Sequence, residues 1–327
     1  MKDRFGRTIE YLRLSVTDRC NLRCLYCMPD EGVESLGHNL IMSYEEMERV
    51  AAAAVRLGVR KIRVTGGEPL VRRGLVDFIR TLSALPGSPE IVLTTNGLLL
   101  AEYADQLKDA GLSRVNVSLD TLREDRFAQL TRRGGLEKVL AGLEAAKDAG
   151  LSPIKINMVP IKGVNDDEII DFARLTLQRK CDIRFIEFMP VRSDLGYSAD
   201  QRLSEAAIMT ILQQSGQLLP IENASLDGPA RMFRYPQGLG HIGVITAVSR
   251  HFCAECNRLR LTADGRIRPC LMSDNEIDLL SALRDGNVDD SQLEAILLNA
   301  ADVKPSGHQL ESGDAPLKQR TMKDIGG

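Results

Sequence analysis

Between Ile9 and Thr17 the chain reads IEYLRLSVT, with apolar and polar positions alternating and branched residues prominent, which predicts a strand. Ser43-Tyr-Glu-Glu46 has the spacing of a capping box and predicts a helix running through the alanines to Leu57. A pattern then recurs: a helix-like stretch closes on a glycine and a branched run follows at once. Gly58 leads into KIRVT, Gly111 into RVNVSL and Gly150 into PIKINMV. Glycine accepts the left-handed position after a helix, so each strand can begin immediately. Further strands fit 90–95 and 182–188, and helical periodicity covers 75–84, 100–110, 136–149 and 167–177.

Short strands alternating with helices predict parallel βα units and an α/β fold. Six strands counted from Ile9 predict an incomplete (βα)6 barrel of the TIM type, two strands short of closure. From about Gly196 the rhythm changes. A helical stretch at 204–214 is followed by short strand-like pieces at 232–235 and 242–248, and a last helix at 289–301. Beyond Lys304 the chain is polar, with Pro and Gly, and should be extended or mobile. The expected division is a partial barrel over 1–200 and a C-terminal extension over 201–327, ending in Gly326-Gly327.

With 43% hydrophobic and 27% charged residues, the composition is that of an ordinary globular protein. A net charge of −3 argues against a surface built to coat nucleic acid, so an anionic partner must meet a local basic cluster. No apolar run approaches a membrane span and the N-terminus lacks an apolar signal region, so the expected location is the cytosol, away from membranes. Seven cysteines, six of them in two groups, suit metal ligation in a reducing compartment better than disulfides.

The first group is Cys20, Cys24 and Cys27, spaced C-x3-C-x2-C. Soft thiolates favour iron–sulfur, zinc or copper(I). Three of them cannot complete a tetrahedral zinc site or give each iron of a 4Fe–4S cluster its own cysteine, and an open position suits chemistry. A zinc knuckle with a distant fourth ligand is the competing reading. The second group is Cys253, Cys256 and Cys270, spaced C-x2-C-x13-C. His251 makes a Cys3His zinc site the alternative there, although strand alternation would point it away from Cys253. Cys181 stands apart and reads as a buried structural thiol.

Between the second cysteines, Asp264-Gly265 signals a hairpin, and Arg258 and Arg260 share one of its faces. A solvated basic strand face is one reading; two guanidinium forks fixed beside a metal centre would instead make a good receptor for phosphates. At the expected strand ends lie Gly66-Gly67-Glu68-Pro69, Thr94-Thr95-Asn96-Gly97, Asn116-Val117-Ser118-Leu119-Asp120 and Lys155-Ile156-Asn157. A paired glycine lets backbone approach a ligand, and the adjacent carboxylate could meet an amine.

The C-x3-C-x2-C spacing with Tyr26 before the last cysteine, followed by the GGE stretch, resembles the radical S-adenosylmethionine superfamily. The two cysteine sets, the intervening R-x-R, the TTNG and VSLD stretches and the terminal Gly-Gly together resemble the GTP 3′,8-cyclase family of molybdenum-cofactor biosynthesis. The resemblance runs from Gly6 to Gly327 and implies two 4Fe–4S clusters, one on each set. It implies S-adenosylmethionine contacts at Tyr26, Gly67, Ser118 and Met189, with Glu68 also holding the cofactor's amine. GTP contacts are implied at Arg13, Arg63, Thr94, Lys155, Arg258, Leu259 (by backbone) and Arg260.

The implied reaction is that of a lyase. A 5′-deoxyadenosyl radical takes the 3′ hydrogen of GTP, the ribose radical adds to C8 of guanine, and an electron and a proton complete the product. Arg13 is implied in that late step, and Gly326 and Gly327 as a tail reaching towards the substrate. An external electron donor, a homodimer, and transfer of the product to cyclic pyranopterin monophosphate synthase complete the implied picture. A radical enzyme acting on a peptide would call for an acidic or apolar groove instead of paired arginines. A double-zinc scaffold would leave the GGEP and TTNG stretches without a purpose.

Overall fold

The computed structural model describes all residues except 30, 33–34, 190–198, 223–227, 287, 309–319 and 327. Gly327 and the start of the change of rhythm at Gly196 therefore lie outside the described residues. The strands are β1 (Tyr11–Ser15), β2 (Lys61–Thr65), β3 (Glu90–Thr95), β4 (Arg114–Ser118), β5 (Ile154–Met158) and β6 (Cys181–Ile186), then β7 (Leu219–Ile221), β8 (Arg231–Arg234), β9 (His241–Ile245), β10 (Arg258–Leu261), β11 (Arg266–Arg268) and β12 (Ile277–Asp278). The helices are α1 (Tyr44–Arg56), α2 (Leu75–Ser83), α3 (Leu100–Asp109), α4 (Glu124–Thr131), α5 (Leu136–Asp148), α6 (Ile169–Gln178), α7 (Glu205–Gln213), α8 (Leu280–Arg284) and α9 (Asp290–Asp302).

The capping box at Ser43 forms: the Glu46 N–H donates to the Ser43 hydroxyl, and the Ser43 N–H donates to the Glu46 carboxylate. Gly58, Gly111 and Gly150 all have positive φ, as an immediate turn into the next strand requires. The helix α4 was not anticipated; it lies in the β4 to α5 connection.

All twelve strands form one sheet in the order β12-β11-β10-β1-β2-β3-β4-β5-β6-β9-β8-β7. β10 lies parallel to β1, and β9 parallel to β6. The expected run of six is thus extended at both edges by C-terminal strands, giving eight parallel strands from β10 to β9. The extension is part of the same sheet. A short antiparallel ribbon finishes each end, β11–β12 on one side and β8–β7 on the other.

The strands are amphipathic, and their apolar sides face outwards. Leu12, Leu14, Ile62 and Val64 pack in the core with Val50, Ala54, Phe78 and Ile79 of the helices. The alternate positions, Tyr11, Arg13, Lys61, Arg63 and Thr65, face an internal cavity. Alternation that would ordinarily mark a half-exposed strand here separates a helix-covered side from a polar interior.

A candidate radical and nucleotide site

A cavity of about 320 Å³ runs through this interior, and all six grouped cysteines line it. Cys20, Cys24 and Cys27 follow the carboxyl end of β1, where parallel βα folds place their chemistry. The second set lies at the opposite end. Cys256 precedes the amino end of β10, and Cys270 follows β11, which returns to that end. The two sets therefore face each other along the barrel, and a substrate between them could touch both.

At the first set, Cys20 Sγ accepts from the Leu22 N–H at 3.4 Å and from Asn96 Nδ2 at 3.9 Å. Burial, then the neighbouring Cys27 and Asp120, push the Cys24 thiol well above its ordinary range, and burial with Cys20 pushes Cys27 up to about 12. Thiols so placed need a bound cation to ionise. The donor chemistry and the shared opening fit a multi-iron cluster on each set better than mononuclear zinc. At the second set, strand alternation predicts that His251 points away from Cys253 and so weighs against zinc. That reason does not hold, because Cys253–Glu255 is a 3-10 turn and both His251 and Cys253 line the cavity. Cys181 is buried and burial pushes it up to about 11, as a structural thiol should be.

Gly67 packs against the cysteine loop: a Cβ there would lie 2.4 Å from the Arg19 carbonyl oxygen. Glu68 was expected to reach a cofactor amine. Instead it is 1% exposed, accepting from the Leu70 N–H at 3.0 Å, Thr95 Oγ1 at 2.8 Å and the Asn96 N–H at 2.6 Å. Its carboxylate is held by the β2 and β3 ends and does not line the cavity, so the cavity receives the Gly66–Gly67 backbone. Tyr26, Ser118 and Met189 do line it, and the Tyr26 hydroxyl donates to Asp120. Asp120 also accepts from the Val159 N–H at 2.8 Å, and burial pushes it up to about 6.

The remaining wall is strongly basic. Arg260, Arg13 and Arg63 stand in register across β10, β1 and β2. Arg258, Lys61, Arg184, Lys304 and Lys323 also line the cavity, and among its described lining residues Asp120 is the sole acid. Burial, with Arg13 and Arg258, pushes Arg260 well below its usual value; burial holds Lys61 at about 8. Burial would raise Tyr11, but Arg63, Arg13 and Lys61 outweigh it and bring the phenol to about 8. Both amide atoms of Asn116 and Nε of Arg63 are buried without a hydrogen-bond partner. Buried polar groups left so mark a place for a polar ligand.

Thr94 lines the cavity, 3.4 Å from Arg63 Nη1. Lys155 does not: its ammonium is buried 3.4 Å from Asp182. Leu259 is 1% exposed with its side chain in the outer core. Lys61 and Arg184 were missed, although the two-residue alternation that pairs Arg258 with Arg260 also pairs Lys61 with Arg63. Lys304 and Arg7 left no local signal. Lys304 Nζ donates to the carbonyls of Arg258 (2.9 Å) and Pro269 (2.6 Å), which flank Cys256 and Cys270. Arg7 Nη1 donates to the Cys253 carbonyl at 2.7 Å. Burial works against a thiolate at Cys256, but Arg258 and Lys304 outweigh it and lower the thiol to about 6.

Residues 14–176 match the family described as Radical SAM superfamily, and 181–310 match Molybdenum Cofactor Synthesis C. The GTP 3′,8-cyclase of Pelotomaculum thermopropionicum is 49% identical over 100% of both chains. That of Geobacter sulfurreducens is 49% identical over 99% of each. The chain belongs to the GTP 3′,8-cyclase family. In fold it is similar to Streptococcus suis SuiB bound to S-adenosylmethionine, with a TM-score of 0.62 at 14% identity over 89% of this chain and 68% of that one. No helix among the described residues is long and apolar enough to cross a membrane.

Proposed function

We propose that this member of the GTP 3′,8-cyclase family converts GTP to (8S)-3′,8-cyclo-7,8-dihydroguanosine 5′-triphosphate, the first step of molybdenum-cofactor biosynthesis. One observation carries the reading: two three-cysteine sets and a basic interior meet in a single cavity. When bound, a 4Fe–4S cluster on Cys20, Cys24 and Cys27 with S-adenosylmethionine supplies one-electron radical chemistry, and a second on Cys253, Cys256 and Cys270 supplies an open iron for the guanine. Tyr26, Gly67, Ser118 and Met189 hold the cofactor. Arg258, Arg260, Arg63 and Thr94 hold the triphosphate and ribose, with Lys61 and Arg184 adding charge. Arg13 stands between the two ends and assists the final reduction and protonation. Family kinship supports three further parts of this reading: an external electron donor, a homodimer, and passage of the product to cyclic pyranopterin monophosphate synthase.

The test is anaerobic. Reconstituted protein should carry about eight irons with sulfide and form the cyclised nucleotide from GTP and S-adenosylmethionine. Cys24→Ala should abolish cofactor cleavage, whereas Cys256→Ala should keep cleavage and lose cyclisation. Two zincs without sulfide, or full cyclisation by folded Cys256→Ala, would overturn the assignment.

A further inference from the structure

The C-terminal turn through Gly326 returns to the cavity, which Met322 and Lys323 line. The Gly326 carbonyl accepts from Arg13 Nη2 at 3.1 Å and Thr65 Oγ1 at 2.9 Å. Ile325 is 1% exposed and packs on Met189, Leu271 and Met322. The segment before it is a closed turn: both the N–H and the hydroxyl of Thr321 donate to Asp324 Oδ2, at 2.8 and 2.7 Å. At the head of this turn stands Arg320. Its Nη1 and Nη2 donate to the two oxygens of Asp264 at 3.2 and 2.9 Å, and Nη2 also donates to Glu276 at 2.7 Å. Nε lies 2.7 Å from the other Glu276 oxygen. These side chains are 14–17% exposed, so the pairs are partly shielded from solvent.

Asp264 is at the turn of the β10–β11 hairpin that carries Arg258 and Arg260, and Glu276 follows β11. Glu276 also receives the fully buried Arg268. One guanidinium thus ties the tail to the arginine hairpin through two carboxylates, which only a planar fork with several donors can do at once. We propose that Arg320 is a positioning residue, a latch that fixes how far the C-terminal turn reaches and so registers Gly326 against Arg13. The inference rests on the cavity being the GTP site. Without Arg320, Asp264 and Glu276 would face each other with less compensation and the turn would lose this side-chain tie to the hairpin.

The test compares Arg320→Ala, Arg320→Lys and a chain lacking Gly326 and Gly327, each at matched iron content. In the reconstituted enzyme, amide exchange over 321–326 should quicken about tenfold or more in Arg320→Ala, with 258–268 unchanged. Turnover of GTP should fall about tenfold while KM for GTP moves little, and S-adenosylmethionine cleavage without GTP should persist. Arg320→Lys, able to meet one carboxylate, should recover part of both effects. Unchanged exchange and turnover in Arg320→Ala, with the truncated chain inactive, would overturn the latch and leave the tail's role standing. A fully active truncated chain would overturn both. A rise in KM alone would make Arg320 a binding residue and overturn the positioning role.

Discussion

Lys61 and Tyr11 lie at the end of the basic wall, the ammonium 5.4 Å from the ring centre, and both are held at about 8. Their titrations act on an anionic ligand in the same direction. As pH rises through 8, Lys61 loses its positive charge and Tyr11 gains a negative one. A triphosphate favours the charged ammonium and the neutral phenol, so binding above pH 8 must be accompanied by proton uptake. GTP affinity is therefore expected to fall about tenfold or more from pH 7 to 9, with Lys61→Arg flattening part of the slope. Equal affinity across that range, measured by equilibrium binding under anaerobic conditions, would remove these groups from the anion site. Arg258→Ala or Arg260→Ala should weaken GTP roughly 10- to 150-fold at pH 7, since a charge-assisted bond contributes about 1.5–3 kcal/mol. Guanosine, lacking phosphates, should lose far less.

At the scale of elements, the cysteine loop is supported from beneath by the end of β2. Gly67 gives the Arg19 carbonyl room, its N–H donates to the Thr17 carbonyl at 2.7 Å, and Glu68 N–H donates to the Arg19 carbonyl at 2.8 Å. In Gly67→Ala the loop must shift, because the clash is with backbone. The expected result is about half the parent's iron, with the second set still loaded, read by metal analysis and by the spectrum of the remaining cluster. Full iron content would show that the loop can give way. Apart from α4, the strands and helices through residue 188 were legible because glycine exits, a capping box and two-residue alternation are local signals. The cysteine sets were legible through spacing. What escaped depended on chain-distant pairing: Lys304 gripping carbonyls at 258 and 269, Arg7 gripping 253, and Glu68 turned inwards onto β3. The same limit applies to Lys155, which the family resemblance implies as a GTP contact and whose ammonium lies 3.4 Å from Asp182 on β6.

For the whole molecule, the decisive pairing is between halves that the sequence rhythm separates. β10 covers the edge of β1, and β9 covers the edge of β6, so strands after residue 240 hydrogen-bond to both flanks of the βα run. The sequence could not announce this, because short isolated strands carry no mark of their partners. Family boundaries also fall between these halves, near residues 176 and 181, although the sheet crosses them. A chain ending at residue 188 would expose two parallel-strand edges at once, together with the apolar surfaces that α9 covers on α1. Uncovered edges of this kind template aggregation. We therefore expect the 1–188 fragment to be insoluble or to form large oligomers on gel filtration, even with iron and sulfide supplied. Co-expression with residues 199–327 should recover soluble, iron-loaded protein, because the missing strands and the second cysteine set return together. A monomeric 1–188 fragment that folds cooperatively and binds S-adenosylmethionine would show that the βα run closes its own edges.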